Sequence, residues 1–562
     1  MTKPQFRVLY REFLFRIVDL ELLAPQGDVS KLLGQFAALL IFVSLNLSLV
    51  AGAMGGSQKN PVLGLLVTWM VQHFLIATTM LAVGLFAVMS WDSTFPDRRD
   101  VQVLSPLPIP ARTLLLAKVA AVATALSVTV SALNIFTGII GPLTVASGRG
   151  GVLRSFAAYW ITMFAAGIFI FGCVLSVQGL AQLLPRQKFL RVSSFVQTAF
   201  FILLVTVYFL QPPFSEMKDL IADQAALRWI PSYWFFGLFH QLNGTMLLPF
   251  AFLAHRAWIG LGTAACGAAL AYLVCYLRTL RKIAEQPDIL PARIRLRWLP
   301  PFGNPMQTAV GQFSVRTLLR SRQHRVMLAF YAGIGLGLAM FISNAPEVYQ
   351  HASGLGPWYR ANAPLLVASA LILCAAVLGT RVVFSLPLEF RANWIFRVMP
   401  PAGVRECLAA TRRSLYCLSV APVWIASAAL FFWLWPWRTA AEHLTILALL
   451  GTIVAEVCLR GFHKIPFTCS YLPGKTHFNM ALMYLILFLL AVEWGANLEM
   501  GALTNPARYA TAVAVFVCAA GLARWLTAAQ ANAEEAEVLF NEAPDPAVFA
   551  LDLHRDGVTP LP

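Results

Sequence analysis

Apolar residues run through this chain in about twelve stretches of 18–28 residues, separated by short polar, Pro-rich or basic segments. The stretches fall at approximately 32–54, 65–89, 116–143, 156–183, 193–210 and 257–277, then at 327–344, 364–387, 414–436, 443–462, 478–496 and 509–529. Each is close to the ~20 residues that a helix needs to cross ~30 Å of hydrocarbon. Lipid offers backbone N–H and C=O groups no partners, so a run of this kind must satisfy its own hydrogen bonds as a helix. The pattern predicts an all-α polytopic membrane protein with about 12 transmembrane helices. They form a 6+6 pseudo-repeat about the segment 278–326.

Composition points the same way. Of the 562 residues 59% are hydrophobic and 12% charged, with a mean hydropathy of +0.69; a soluble domain of this length does not have such a balance. The net charge of +16 would suggest nucleic acid in a soluble protein. Here it orients the chain, because Lys and Arg concentrate on the cytoplasmic side. With the N-terminus inside, cytoplasmic segments hold 31 of the 42 Lys+Arg, counting Arg460 and Arg524 near cytoplasmic span ends, and external segments hold nine. Both termini are therefore expected in the cytoplasm, with the two remaining charges, Lys118 and Arg381, snorkelling from within spans. The first span lies behind Lys3, Arg7, Arg11 and Arg16 without a convincing cleavage site, so it is expected to be retained. Nine cysteines with no CxxC pair support neither a disulfide framework nor a zinc site.

The segments outside the spans divide the chain further. In 1–31, Phe6, Leu9, Tyr10, Phe13, Leu14 and Ile17 recur at helical spacing, with Arg7 and Arg11 on another face. That suits an amphipathic interfacial helix, its apolar side toward lipid, or a short helix packed on the cytoplasmic loops. Half 1 follows at 32–277. The connector 278–326 carries ten Arg or Lys, and its prolines prevent one continuous helix. Within it, 312–325 could form a second interfacial helix before half 2 (327–530). The tail 531–562 is acidic. In the external segment 211–256, Pro231 begins a run in which Tyr233, Trp234, Phe235, Phe236 and Phe239 crowd into seven residues. An interfacial aromatic belt is the simpler reading, and an external gate or lid the functional one.

Catalytic chemistry is largely missing. Gly474-Lys475-Thr476 is the chain's only Gly-Lys, but Cys469 stands where a phosphate loop requires Gly, and the stretch joins two spans. The chain is therefore expected to bind no nucleotide or other cofactor. Its histidines lack metal-binding spacing. Among acidic residues in spans, Glu456 lies four residues from Arg460, a local helical pair, and Glu493 lies beside Trp494 near an interface. Neither supplies the buried acidic chain of a proton-driven carrier.

The loop after the second span adds a resemblance. Asp97-Arg98-Arg99-Asp100, then Leu104-Ser105-Pro106-Leu107-Pro108-Ile109, then Arg112 to Lys118, resemble the first cytoplasmic loop of ABC-2-type exporter permeases. The N-terminal helix resembles that family's elbow helix, and Pro231-Ser232-Tyr233-Trp234-Phe235 an aromatic segment ahead of the last span of a half. The likeness covers half 1 well and half 2 loosely. There Arg391, Arg397, Met399, Pro400 and Pro401 keep a basic, Pro-containing loop, while Ala392-Asn393 replaces the acidic-basic lead-in. The resemblance implies a permease subunit of an ATP-driven exporter in a bacterial inner membrane. Its loops at Asp97, Arg98, Arg99, Asp100, Leu107 and Pro108, and at Arg391, Arg397 and Pro400, would seat in two separate ABC ATPase subunits that consume ATP. Pro231, Tyr233, Trp234 and Phe235 would form an external gate or interface. The family normally pairs two six-span subunits, so twelve spans imply a pseudo-dimeric single chain surrounded by lipid, with no nucleic-acid partner.

Two other classes share part of this evidence. A secondary carrier of the major facilitator kind also has six plus six spans and a basic central loop, but uses a tight turn after its second span. A membrane enzyme acting on lipid-linked substrates would require more acidic external loops.

Overall fold

The computed structural model describes residues 3–18, 37–38, 40–49, 61–95, 107, 109–145, 151–211, 229–245, 251–275, 303–343, 362–388, 393, 395–398, 403–469, 478–531, 538, 540, 549–551 and 558–560. The apolar runs fold as helices: α1 (Lys3–Val18), α2 (Leu40–Leu49), α3 (Pro61–Met89), α4 (Ala111–Asn134), α5 (Thr137–Val145), α6 (Gly151–Gln182), α7 (Arg186–Phe209), α8 (Pro231–Asn243) and α9 (Ala251–Leu270). They continue as α10 (Pro305–Arg320), α11 (Arg322–Ser343), α12 (Ala363–Phe384), α13 (Val404–Leu415), α14 (Ala421–Leu434), α15 (Trp437–Leu459), α16 (Phe478–Leu503) and α17 (Pro506–Ala531). Phe549–Leu551 and Val558–Pro560 pair as a short antiparallel ribbon; otherwise the described elements are helical.

Among the described residues eight helical stretches are long and apolar enough to cross a membrane: Gly64–Met89, Arg112–Asn134, Gly151–Gln182, Ala251–Val274, Ala363–Phe384, Val404–Leu434, Trp437–Leu459 and Pro506–Gln530. Shorter apolar helices stand at Leu40–Leu49, Phe195–Phe209 and His324–Met340. In the Pro506–Gln530 stretch only 6% of the most apolar window is buried inside the protein. Val515, Val517, Leu522 and Trp525 face outward, a surface that water would not tolerate and lipid does. The chain is a helical, multi-pass membrane protein by these criteria.

The chain divides into two compact units. The first comprises Met1–Arg295 with Leu336–Asn344, and the second Leu296–Gly335 with Ala345–Pro562.

In the first unit α6 is the central helix, packed by α3, α4, α5, α8 and α9. Gly172 lets the α6 backbone approach Ala264 of α9; a Cβ there would sit 3.0 Å from the Ala264 carbonyl oxygen. Close backbone approach through small residues is how helices associate where lipid removes the hydrophobic drive. Polar residues fasten the same bundle. Asn134 Nδ2 donates to Thr79 Oγ1 (3.1 Å), and the Tyr159 hydroxyl lies 2.9 Å from both Asn134 Oδ1 and Thr137 Oγ1. One asparagine thus joins α3, α4 and α6.

The apolar stripe of α1, Leu9, Phe13, Leu14 and Ile17, is buried against protein, the helix packing along α4. Tyr10 donates to Thr124 Oγ1 at 3.0 Å. Lys118, expected to snorkel, is covered by α1 instead, its Nζ 4.6 Å from the centre of the Phe13 ring. An aromatic face offers a desolvated ammonium an electrostatic partner.

In the second unit α12 is surrounded by α14, α15 and α16, α17 lies along α15, and α10 packs on α13. Asn362 caps α12, its side chain accepting from Leu365 N at 3.0 Å. Between α13 and α14 the chain makes one wide turn, Tyr416–Val420, in which Ala421 N bonds back five residues to Tyr416 O. Pro422 at the start of α14 has no N–H to give, and a helix commonly absorbs such a loss in a turn of this kind.

Candidate functional site

Most of the residues singled out in the two loops lie outside the described residues: Asp97, Arg98, Arg99, Asp100, Pro108, Arg391 and Pro400. Leu107 is described and exposed. Arg397 belongs to the single helical turn Ile395–Val398. What the structure does show is how the ends of each loop are held.

The first loop leaves from the C-terminal end of α3 through one dense cluster. Trp91 is wholly buried and donates its indole N–H to Ser193 Oγ of α7 at 2.9 Å. Gln178 of α6 donates to the Trp91 carbonyl, and Gln197 Nε2 of α7 to the Val88 carbonyl at 2.7 Å. Phe95, also buried, stacks on Tyr272 at 5.5 Å, in the turn that prolongs α9. These groups complete carbonyls that the helix end leaves without intrahelical partners, and they tie the loop's start to three other helices. At its far end Pro110 precedes α4, whose early residues lie under α1. The described residues that flank 96–106 are thus packed against other helices, Phe95 before it and α4 after it.

The second loop is held differently. After α12 the chain pairs with the segment following α15: Phe467 N donates to Phe384 O (2.8 Å) and Leu388 N to Phe467 O (2.9 Å). Farther on, Asn393 Nδ2 reaches Thr468 O at 2.8 Å. Phe467 has φ +65 and is buried among Phe313, His324 and Phe384. A left-handed backbone at a phenylalanine is uncommon and costs energy; here the ring contacts and paired hydrogen bonds offset it. Arg381 does not reach outward from its span. Its Nε donates to Cys458 O at 2.8 Å, its Nη1 bonds Ser385, and its guanidinium lies 4.3 Å from the centre of the Phe462 ring.

The aromatic run becomes α8, with Pro231 in its first turn and Gly244 closing it at φ +79, the left-handed conformation suited to glycine. Tyr233, Phe235, Phe236 and Phe239 are buried between α3, α6 and α9, so these rings pack into protein and do not form a lipid-facing belt. Tyr233 stacks on His73 of α3 at 4.0 Å, while His73 Nε2 lies 2.9 Å from Ser232 Oγ. Trp234, half buried, meets Phe169 edge-on at 5.9 Å. Arg154 Nε donates to Leu242 O (2.7 Å) and Ser155 Oγ to Asn243 Oδ1 (2.7 Å), fixing the helix's far end to α6.

His240, on the same helix, is packed beside Trp69 and Phe236, its Nδ1 2.8 Å from Thr245 Oγ1. Burial pushes its pKa down from the usual 6.5 to about 4. In the unfolded chain the ring takes a proton below about 6.5, whereas in the folded chain it stays neutral until about 4, so stability present above that window is lost as pH falls through it. Thermal unfolding in detergent at pH 7.5 and pH 4.5 should show the loss, about 1.4 kcal/mol per pH unit at its steepest for one proton. A His240→Asn variant, which keeps a group for Thr245, should lose less over the same interval.

Two buried charged clusters in the second unit were not read from sequence. Glu456 pairs with Arg412 of α13, not with its own-helix neighbour Arg460: Arg412 Nη2 donates to Oε2 at 3.0 Å, and Nε lies 2.6 Å from Oε1. The carboxylate is nearly inaccessible at 3%, and the competing local pair would have left it facing solvent. Secondly, His443 of α15 lies between Ser369 of α12, Nε2 to Oγ 3.0 Å, and Glu499 of α16, Nδ1 to Oε1 2.6 Å. Phe431 and Trp435 cover the ring. Glu493, by contrast, is partly exposed. The residues of the second cluster stand 74 and 56 positions apart, so no local motif announces them.

Comparison with protein-family models, with curated proteins and with solved structures found no match for this chain.

Proposed function

We propose that this chain is the membrane-spanning permease subunit of an ATP-driven exporter of the ABC-2 type. In this reading it has six plus six spans in a bacterial inner membrane and both termini in the cytoplasm. Two separate ATPase subunits would close on ATP and press on the loops at 95–112 and 388–403. The chain would supply the translocation path and the linkage that converts this push into alternating access.

The observation that carries the reading is the anchoring of the first loop. A loop that receives a mechanical push must pass it to helices rather than absorb it. Trp91 and Phe95 before the loop, and α4 under α1 after it, tie the residues that flank the loop to α3, α6, α7, the end of α9 and α1. The resemblance of Asp97-Arg98-Arg99-Asp100 and the Pro-containing stretch supports the same assignment. The second platform, built on Phe467 and the segment after α15, is a shorter and different connection, in keeping with the weaker likeness of that loop.

The experiment is reconstitution. Alone, the purified chain should hydrolyse no ATP, and co-expression with an ABC ATPase should yield a complex that does. Transport that follows a proton gradient and ignores ATP would overturn the proposal in favour of a secondary carrier. One feature favours that second reading: the Ser369–His443–Glu499 cluster places an imidazole and a carboxylate together between helices, and ionisable residues inside a membrane bundle commonly mark ion or substrate paths. Topology is tested separately. Reporters fused at Arg281 and after Ala531 should score cytoplasmic and one at Lys218 external; a cytoplasmic result at Lys218 would remove the 6+6 arrangement.

A further inference from the structure

His443 turns each of its ring nitrogens toward a group on another helix. Nδ1 lies 2.6 Å from Glu499 Oε1 of α16, and the carboxylate assigns the ring hydrogen to that nitrogen, which leaves Nε2 of the neutral ring as an acceptor. Nε2 lies 3.0 Å from Ser369 Oγ of α12. The same hydroxyl lies 2.9 Å from the Leu366 carbonyl oxygen, the usual helical acceptor, so its hydrogen has two acceptors within reach. Ser369 and His443 are buried, and the Glu499 side chain is nearly so. A hydroxyl on a base, with the base oriented by an acid, is the arrangement that makes serine a nucleophile. It is recognised by geometry and roles, not by order along the chain.

A fourth group points to a ligand. Trp435 is buried and stacked on Phe431 at 4.2 Å, with its ring centre 5.8 Å from that of His443. Its indole N–H nevertheless has no acceptor among the described residues. A buried donor left in this way is costly, and a carbonyl oxygen would satisfy it. The ring can also move aside without breaking a side-chain hydrogen bond. Position in the fold narrows the ligand. Ser369 and His443 are each the seventh residue of their helices, which places them about 9 Å in from the helix ends. Trp433 and Trp437 stand exposed beside those ends, and tryptophan favours the membrane interface. The cluster therefore lies at the depth where the ester groups of a lipid give way to its acyl chains.

We propose that Ser369, His443 and Glu499 form an esterase centre within the second unit, acting on a carboxylic ester with a long acyl chain presented from the membrane. Ser369 Oγ bonds to the ester carbonyl carbon while its proton passes to His443 Nε2. The carbonyl oxygen, negative in the tetrahedral intermediate, is met by the Trp435 N–H. The bond from that carbon to the alcohol oxygen then breaks, the departing oxygen takes the proton from Nε2, and the acyl group stays on Ser369. Water completes the cycle: its oxygen bonds to the acyl carbon, its proton passes through Nε2 to Ser369 Oγ, and the fatty acid leaves. Glu499 touches no reacting atom; it is a positioning residue that fixes the ring. The proposal rests on the chain lying in a membrane, not on the exporter reading.

The test is reaction of the full-length protein in detergent with hexadecyl fluorophosphonate, from which an activated serine displaces fluoride, read by mass spectrometry of the peptide carrying Ser369. Wild type should form an adduct at Ser369 and release palmitate from p-nitrophenyl palmitate. Ser369→Ala should abolish both. His443→Gln should slow the labelling about 10²-fold or more. Trp435→Phe, which keeps a ring on Phe431 but removes the N–H, should slow it about 10²-fold. Glu499→Gln should slow it too and Glu499→Asp recover part of the rate, both at a melting temperature near that of wild type; a carboxylate with only a structural role would move the melting temperature and not the rate. Should Ser369→Ala fail to fold, the position of the wild-type adduct decides the matter. Folded wild type without an adduct at Ser369 would overturn the proposal and leave the cluster as a polar joint of three helices. Labelling and hydrolysis that persist in Ser369→Ala, or labelling at an equal rate in His443→Gln, would overturn it as well.

Discussion

Replacing Glu456 by alanine is expected to destabilise the second unit by about 3–5 kcal/mol, the usual cost of leaving one member of a buried ion pair behind. Arg412 would then retain its charge beside α15 without the carboxylate that accepts from Nη2 and lies 2.6 Å from Nε. Arg412→Ala should act in the same direction, since Glu456 is even less accessible than its partner. Removing both at once, as Arg412→Met with Glu456→Leu, should recover much of the loss, because neither remaining group then needs desolvating. The measurement is thermal unfolding in detergent of wild type, the two single variants and the double replacement. Single variants that unfold like wild type would show that the pair is solvated and that the packing of α13 on α15 carries the joint.

Charge reversal at Arg98 and Arg99 has the second large expected effect, on assembly rather than stability. An exposed ion pair is worth about 0–1 kcal/mol, whereas a hydrogen-bonded charge desolvated at an interface costs ~2–5 kcal/mol to remove. If the first loop seats in an ATPase, the double reversal should abolish co-purification of that subunit at matched membrane levels. Insertion should be unaffected, because it depends on the apolar helices. Arg391 and Arg397 should show a smaller loss. Recovery unchanged for all four would leave the loops as ordinary solvated turns and remove the main support for the ABC assignment.

The helices were legible because their signal is compositional: twenty apolar residues in a row have few alternatives. The stripe of α1 was equally visible, since Leu9, Phe13 and Ile17 recur at four-residue spacing. Its destination was not. Periodicity shows that a face is apolar, but lipid and the flank of α4 satisfy that face alike, and only tertiary packing distinguishes them. The same ambiguity hid the fate of Tyr233 and Phe235, which suit a membrane interface by type and a packed helix by position. Glu456 misled through proximity in sequence, because Arg460 is near along the chain while Arg412, 44 residues away, is near in space. His443 and Glu499 belong to no motif, and nothing short of three helices meeting could have joined them.

The wide turn at Tyr416–Val420 sets the phase of everything that follows it. One extra residue advances a helix by about 100°, so the polar side of α13 and the inward side of α14 do not share one line. On the near side of the turn, Arg412 points to Glu456; beyond it, Trp424 donates to Leu444 O at 2.9 Å and Phe431 meets the His443 ring at 4.9 Å. Deleting a single residue from 416–420 would make the rod more regular and rotate Trp424 and Phe431 off α15. The irregularity thus acts as a splice, allowing one continuous rod to satisfy a charged partner at one end and an aromatic one at the other.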